Sequence, residues 1–504
     1  MYSIKSRFMK SLSQNIVRSA ISFLTAILIA RWLGPEDFGR MSFLIASFVA
    51  FKQLLDMASS SAFFTFISQK TRSKKFVTYY WRWIGVQLLF SLFLLLLLPD
   101  SIVKTIWKDE GIFMLVLALV ATFMQQHVWS VALQMAEAQR ETHKVQKLNT
   151  LIVFMHFAVV IVLWIGGKLF IPLIFVALII EWSIASWIAS KMYRTDENEI
   201  NVLKTESDTA ASVFKEFWIY CLPFVPYSFL GFAHDFLDRW MLQTWGGNSE
   251  QAYYAVAYQF ASVVLLITVS ILKIFWKEIS EAHYNNDIKK VKRLYLKVSR
   301  SIYFIGAIIS GGLIPWSEEI IALLLGKTYA PGALTLTIML LYPVHQSMGQ
   351  IGSTMLYATG NTKTLTVIGS IFMLTSIAAV YIVLAPTTLY GFELASQGLA
   401  IKMIVMQLIQ VNIMAWYIAR IFKWNFDWLY QVVGLGLAVI SGGVAKLIVI
   451  SVISSHPLIL ISISSFLYIL IIMLSIRIFP WIAGLTNSDI VNFDFQGKFL
   501  KKYK

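Results

Sequence analysis

Charged and hydrogen-bonding side chains recur at helical spacing inside the most apolar stretches of this chain. Gln14, Arg18, Ser22 and Thr25 are four, four and three residues apart, and Lys52, Asp56 and Ser59 are four and three apart. In a helix each set lies on one face. A charge at mid-bilayer costs about 2.5–3.5 kcal/mol on insertion scales, so several facing lipid would be a heavy load that a water-filled cavity removes. In such a cavity Arg18 would hold an anion by paired hydrogen bonds and Lys52 as a point charge. The alternative is that Arg18 snorkels to the interface and Lys52 pairs with Asp56 one turn away.

Further sets repeat the pattern. Tyr227, Gly231, His234, Asp235 and Asp238, with Arg239 beside them, place an imidazole among carboxylates, where protonation can change near neutral pH. The plainer reading is an Asp235–Arg239 pair that holds a helix end. Gln346, Gln350, Ser353 and Tyr357 form one uncharged stripe; Gln126, Ser130 and Gln134 form another. Such faces suit sugar hydroxyls and suit helix–helix contacts equally well. Lys402 is the cationic candidate of the second half, and Glu181 an isolated acid. With Asp56, Asp235, Asp238 and His234, Glu181 completes the set of ion-coupling candidates. Lys446 reads as an interfacial lysine.

What must position these residues is a stack of membrane helices. Of 504 residues 58% are hydrophobic and only 14% charged, and the mean hydropathy is +0.69; soluble domains are far more charged. Apolar runs of about 20 residues, each able to cross a bilayer, predict an all-α polytopic membrane protein. The expected helices lie near 13–33, 39–66, 81–99, 111–135, 148–166 and 170–191, then 215–242, 251–275, 296–316, 332–357, 363–385 and 390–418, with two more near 429–452 and 456–478. That gives about fourteen transmembrane helices. The N-terminal run is too long for a signal h-region and reads as the first of them. One cysteine, Cys221, leaves no disulfide framework.

The net charge of +15 is spread in short clusters between apolar runs, which is how topology is written in a bilayer and not how nucleic acid is bound. With the N-terminus inside, about 31 of the 42 Lys and Arg fall in cytoplasmic segments, so both termini are expected there. The domains read as an N-terminal lobe (1–192), a cytoplasmic linker (193–214), a C-terminal lobe (215–418), two additional helices (419–480) and a basic tail (481–504). The two six-helix lobes would surround a central cavity.

"ARWLGPEDFGRMSFL" (30–44) interrupts this greasy background with Arg31, Glu36, Asp37 and Arg40. It reads as an outward hairpin turn: Gly34 ends a helix, Pro35 cannot continue it, and the acids suit the next N-terminus. "TWGGNSEQAYYAVA", some 212 residues later, runs through the same order of Trp, Gly, polar turn, aromatic and small residues. The match indicates two parallel repeats, a common transporter plan.

Quoted together, "ARWLGPEDFGRMSFL", "LPFVPYSFLGFAHDFLDRWML" (222–242), "AYYAVAYQF" (252–260) and "LYGFELASQGLA" (389–400) resemble the polysaccharide-specific transporters of the multidrug/oligosaccharidyl-lipid/polysaccharide exporter superfamily, in the same order over roughly residues 10–450. Two departures stand out. "LLDMASSS" (54–61) has Ala58 where the family often has glycine, and "IFWKEIS" (274–280) lacks a proline often found there. The resemblance implies a Wzx-type flippase for polyprenyl-pyrophosphate-linked oligosaccharide repeat units, working in the bacterial inner membrane for O-antigen or capsule synthesis. It implies membrane lipids, a polysaccharide polymerase and chain-length proteins as partners, no cofactor, and coupling to a proton or sodium gradient. On this reading Arg18, Lys52, Lys402 and Arg239 form the cationic cavity, and Gln14, Ser22, Gln126, Gln346 and Gln350 face the glycan.

Two other readings stand beside it. A cation-coupled small-molecule or drug exporter of the same superfamily would want fewer cavity cations and more buried acids. A membrane polysaccharide polymerase would place a large loop outside, whereas the long polar loops here are basic and cytoplasmic. No enzyme motif is expected to operate: "LLLGKT" (323–328) ends like a phosphate loop, but Ile321 occupies the position of its required first glycine.

Overall fold

The computed structural model describes residues 4–69, 72–108, 110–138, 142–192 and 209–485. The tail beyond 485 and most of the expected linker lie outside them, as does the side chain of Gln14. The described residues are helical almost throughout, with no strand among them. All fourteen expected segments are helical. Among the described residues ten helices are long and apolar enough to cross a membrane.

By mutual packing the chain forms two compact units. Unit 1 draws on Met1–Ala252 and Ile377–Ala395, and unit 2 on Tyr253–Ser376 and Ser396–Lys504. Unit 1 contains α1 (Ile4–Asp56), α2 (Ser59–Gln69), α3 (Lys74–Leu97), α4 (Asp100–Trp107), α5 (Ile112–Phe123), a π-helical turn (Met124–Val128), α6 (Trp129–Ala138), α7 (Thr142–Ile165), α8 (Ile171–Met192), α9 (Ala210–Cys221) and the part of α10 (Val225–Tyr284) up to Ala252. Unit 2 is built on α11 (Ile288–Leu313), α12 (Ser317–Leu324), α13 (Ala333–Met339), α14 (Tyr342–Ala358), most of α15 (Thr362–Leu384), α16 (Ala395–Ile421), α17 (Leu429–Val452) and α18 (Pro457–Ile478).

The expected hairpin turn after the first helix is tighter than the sequence indicates. Only Gly34 leaves helical geometry, with φ 75° and ψ 171°, and Pro35 opens the next helix. Gly247 does the same inside α10, with φ 81° and ψ −173°. These left-handed angles favour a residue without a Cβ. The two bends are 213 positions apart, one more than the offset of the sequence match.

The second predicted helix is broken before its end. Met57 (φ 40°) and Ala58 (φ 67°) take left-handed conformations between α1 and α2. Ala58 therefore occupies, with a Cβ, a backbone position that glycine would hold without strain. Asp56 caps the helix that follows, accepting from the Ser60 amide at 2.9 Å, the Ser60 hydroxyl at 2.7 Å and the Ser59 hydroxyl at 3.1 Å. The tenth predicted helix is likewise broken, at Leu340 and Leu341. Residues 288–295, left between the expected helices 251–275 and 296–316, are the first part of α11, with Asp287 as its N-cap.

Candidate functional site

In unit 1 the polar residues collect along one seam, where the second half of α1 and α2 face α9 and the first part of α10. At one end Arg72, only 7% exposed, donates from both guanidinium ends to the Glu216 carboxylate, its Nη1 at 3.0 Å. Its guanidinium lies 4.6 Å from the Phe76 ring centroid. Around it Phe63, Phe66, Phe76, Tyr80 and Phe217 form one aromatic cluster. The Thr65 and Tyr220 hydroxyls, 3.5 Å apart, continue the seam.

At the middle, the Gln53 amide donates to one oxygen of Asp235, while the other lies 2.7 Å from Nδ1 of His234. Gly231 leaves room for Gln53: a Cβ there would fall 2.4 Å from its Oε1. Asp235 therefore takes its partners from His234 and Gln53, not from Arg239 as the plainer reading had it. Phe51 and Phe232 meet edge-on beside them, 6.4 Å between centroids.

Lys52, next to Gln53, does not pair with Asp56. Its Nζ donates to the backbone carbonyl of Gln126 at 2.8 Å. Gln126 sits in the π turn, whose i→i+5 pattern inserts an extra residue and loosens the carbonyl ladder. The Gln126 side chain is exposed. His127, the next residue, is 1% exposed, stacks on Phe123 at 4.9 Å, and has no hydrogen-bond partner for either ring nitrogen among the described residues.

At the other end the two bends meet. Glu36 accepts from the Asn248 amide at 2.5 Å and from the Ser249 hydroxyl at 3.3 Å. Gly39 lies so close that a Cβ would fall 1.8 Å from the Asn248 carbonyl oxygen. Arg40 grips Glu110 with two bonds, 2.8 and 3.0 Å, and reaches Asp37 at 3.3 Å. Arg239 Nη1 is 3.5 Å from Oε1 of Gln251, and Asp238 is 7% exposed.

The seam thus brings together Lys52, Asp56, Gln126, His234 and Asp235, with Asp238 and Arg239 further along α10. Arg18 is half-buried and has no hydrogen bond or ion pair with a described residue; Ser22, one turn on, is exposed. Thr25 turns back to the Ile21 carbonyl at 2.7 Å. Glu181 is not isolated: Nδ1 of His156 lies 2.8 Å from its Oε2, on α7 and α8. Lys402, 3% exposed, and the half-buried Gln346 and Gln350 belong to unit 2. Lys446 is tied within unit 2. Its Nζ bonds Glu319 and the Pro315 carbonyl, each at 2.6 Å, over the Trp316 ring.

Residues that sequence reasoning missed are Gln53, Arg72, His127, His156 and Glu216. Gln53 adjoins a flagged lysine, which was the one local signal; the others acquire their meaning only from contacts across tens of residues. Chemically the middle of the seam offers an ammonium, amides and an imidazole as donors, and one exposed carboxylate. This is equipment for hydrogen-bonding a polar ligand.

The whole fold has relatives among solved structures. The lipid II flippase MurJ, in an inward closed conformation, matches with TM-score 0.70 at 15% identity, covering 92% of this chain and 98% of that one. A multidrug resistance MATE family transporter in an inward-facing conformation matches with TM-score 0.59 at 13% identity, covering 80% and 94%. A MOP superfamily transporter from Pyrococcus furiosus matches with TM-score 0.53 at 12% identity, covering 83% and 96%. No curated protein sequence matches. The family described as polysaccharide biosynthesis protein matches residues 5–275, more than half of the chain, and the chain belongs to that family.

Proposed function

We propose that this protein is a flippase that moves polyprenyl-pyrophosphate-linked oligosaccharide repeat units from the cytoplasmic to the outer leaflet by alternating access, for O-antigen, capsule or a related surface polysaccharide. The observation that carries the reading is the middle of the seam. Lys52, Gln53, Gln126, His234 and Asp235 hold a polar surface at the centre of helices that are otherwise apolar. A glycan needs many neutral donors and acceptors, and a pyrophosphate needs cations; Arg18 and Lys52 supply the charge. The family is one of polysaccharide biosynthesis, and the likeness to MurJ, a lipid II flippase, points to a lipid-linked substrate.

Alternating access asks for one surface that closes and parts. The latches at the outer end (Glu36 to Asn248 and Ser249) and the inner end (Arg72 to Glu216) are hydrogen bonds that water can replace, so the seam suits that task. The setting proposed is the bacterial inner membrane with both termini cytoplasmic, with a polymerase and chain-length proteins as partners downstream.

The test is flipping in liposomes that carry a short polyprenyl-pyrophosphate disaccharide as probe. A glycan-modifying enzyme added outside reaches only the outer-leaflet share without the protein, and should reach nearly all of the probe with it. The MATE-like fold keeps a small-molecule exporter in contention. Transport of an organic cation with no movement of the glycolipid would favour it.

A further inference from the structure

The helix that runs from α5 through the π turn into α6 is continuous over Ile112–Ala138 and is wound one residue loose at its middle. There the Trp129 amide donates to the Met124 carbonyl, five residues back instead of four. Two carbonyls of the turn take donors from side chains. Lys52 Nζ reaches the Gln126 carbonyl at 2.8 Å, and the Ser130 hydroxyl reaches that of His127 at 2.7 Å. The π winding spreads the carbonyl ladder, and a carbonyl turned out of it is open to an outside donor.

This register also leaves polar atoms short of partners. His127 is 1% exposed and stacks on Phe123, and among the described residues neither ring nitrogen has a hydrogen bond. Lys52 and Asp56 both lie within electrostatic reach of it. On the α-helical stretches to either side, Oγ1 of Thr122 and Oε1 of Gln134 are likewise buried without a partner. Buried polar groups in this condition are costly, and three on one helix call for a reason. A second register of the same helix supplies one.

Moving the extra residue out of 124–128 turns each residue it passes by about 100° and shifts it by about 1.5 Å. That returns the Gln126 carbonyl to the regular ladder and leaves the Lys52 ammonium without its acceptor. No carboxylate of the seam stands idle to receive it. Asp56 already accepts from Ser59 and from the amide and hydroxyl of Ser60. Asp235 is engaged by Gln53 and His234. The released ammonium is thus left for an anion from outside.

We propose that the π turn is a register switch for Lys52: it holds the ammonium on the Gln126 carbonyl, and gives it up to the pyrophosphate of the substrate when the turn shifts to α-helix. This rests on the reading of Lys52 as a substrate cation. Gln126, through its carbonyl, and His127 are positioning residues for that cation. The two events are linked, so an anion on Lys52 favours the shifted register, and whatever favours that register tightens the anion.

The experiment measures equilibrium binding of inorganic pyrophosphate to the full chain in detergent. Deletion of Gln125 removes the extra residue and leaves α5 and α6 on their own faces. It should tighten binding about tenfold, the weight of one hydrogen bond to a charged group, and Lys52→Gln in the deleted protein should abolish the gain. His127→Leu places an apolar side chain where the imidazole has no partner, so it should favour the π register, raising thermal stability and weakening pyrophosphate binding. Equal affinity in wild type and deletion would overturn the proposal, as would a gain that survives Lys52→Gln. If the deleted protein does not fold, His127→Leu decides: unaltered affinity in that variant, whatever its stability, would overturn the switch and mark a structural tie. Pyrophosphate bound by neither wild type nor any variant would overturn the underlying reading of Lys52, and the switch with it.

Discussion

The seam of unit 1 and the α11–α17 junction of unit 2 both hold long helices together, but with opposite chemistry. Along the seam the ties are polar: Arg72 to Glu216, Gln53 to Asp235, and Glu36 to Asn248 and Ser249. At the junction the backbones themselves touch. A Cβ on Gly442 would fall 2.0 Å from the Gly311 carbonyl oxygen, and one on Gly311 would fall 2.6 Å from the Ala438 carbonyl carbon. Hydrogen bonds along a seam can be exchanged for bonds to water. Close backbone packing between membrane helices has no such substitute, because lipid cannot refill the gap with equal contact. On the transport reading the seam parts and the junction stays, with Lys446 and Glu319 as an added tie on the junction side.

Locking the seam should have the largest effect. In a protein with Cys221→Ser, the pair Glu36→Cys and Asn248→Cys should form a disulfide on oxidation, and transport should fall to background and return with reductant. Undiminished transport in the cross-linked protein would mean this end of the seam does not move. Breaking the junction comes next. Gly442→Leu forces a side chain into backbone and should cost about 3 kcal/mol, the upper end for overpacking, read as a lower unfolding temperature in detergent and poor yield; an unchanged unfolding temperature would contradict the packing described.

A smaller effect is expected at the Arg72–Glu216 latch. Arg72→Ala leaves Glu216 without its partner, and the loss should be about 3 kcal/mol, the low end for a broken buried pair because Glu216 is partly exposed. Cys221, packed against the same aromatic cluster, should then alkylate faster, and an unaltered rate would show that the latch does not hold this end. The smallest change is a gain. Ala58→Gly relieves a left-handed alanine and should add about 1 kcal/mol of stability, with no gain if the helix break at Met57 relaxes on its own.

The seam also shows what a sequence can and cannot disclose. The helices, the bends at Gly34 and Gly247 and the relation between them were legible, because hydropathy, Pro and Gly act locally. The offset between the two bends was visible as a pattern, but that Glu36 would meet Asn248 was not, because contact across 212 residues is a tertiary fact. Lys52 reads as a cavity cation or a partner of Asp56, and its actual contact was not legible, because a π turn leaves no composition signal and supplies a backbone carbonyl no motif announces. Lys446 reads as interfacial on its own helix and proves to be tied to Glu319, 127 residues away. Glu181 looked isolated for the same reason: His156 lies on the preceding helix, 25 residues back, beyond any helical repeat.

The most direct test of the central claim is made in cells. The protein is depleted, and a membrane-impermeant glycan-modifying probe then locates the lipid-linked oligosaccharides. The account predicts single repeat units accumulating on the cytoplasmic face, out of reach of the probe. Repeat units that still reach the outer face, or lipid-linked glycans unchanged in amount and sidedness, would contradict it.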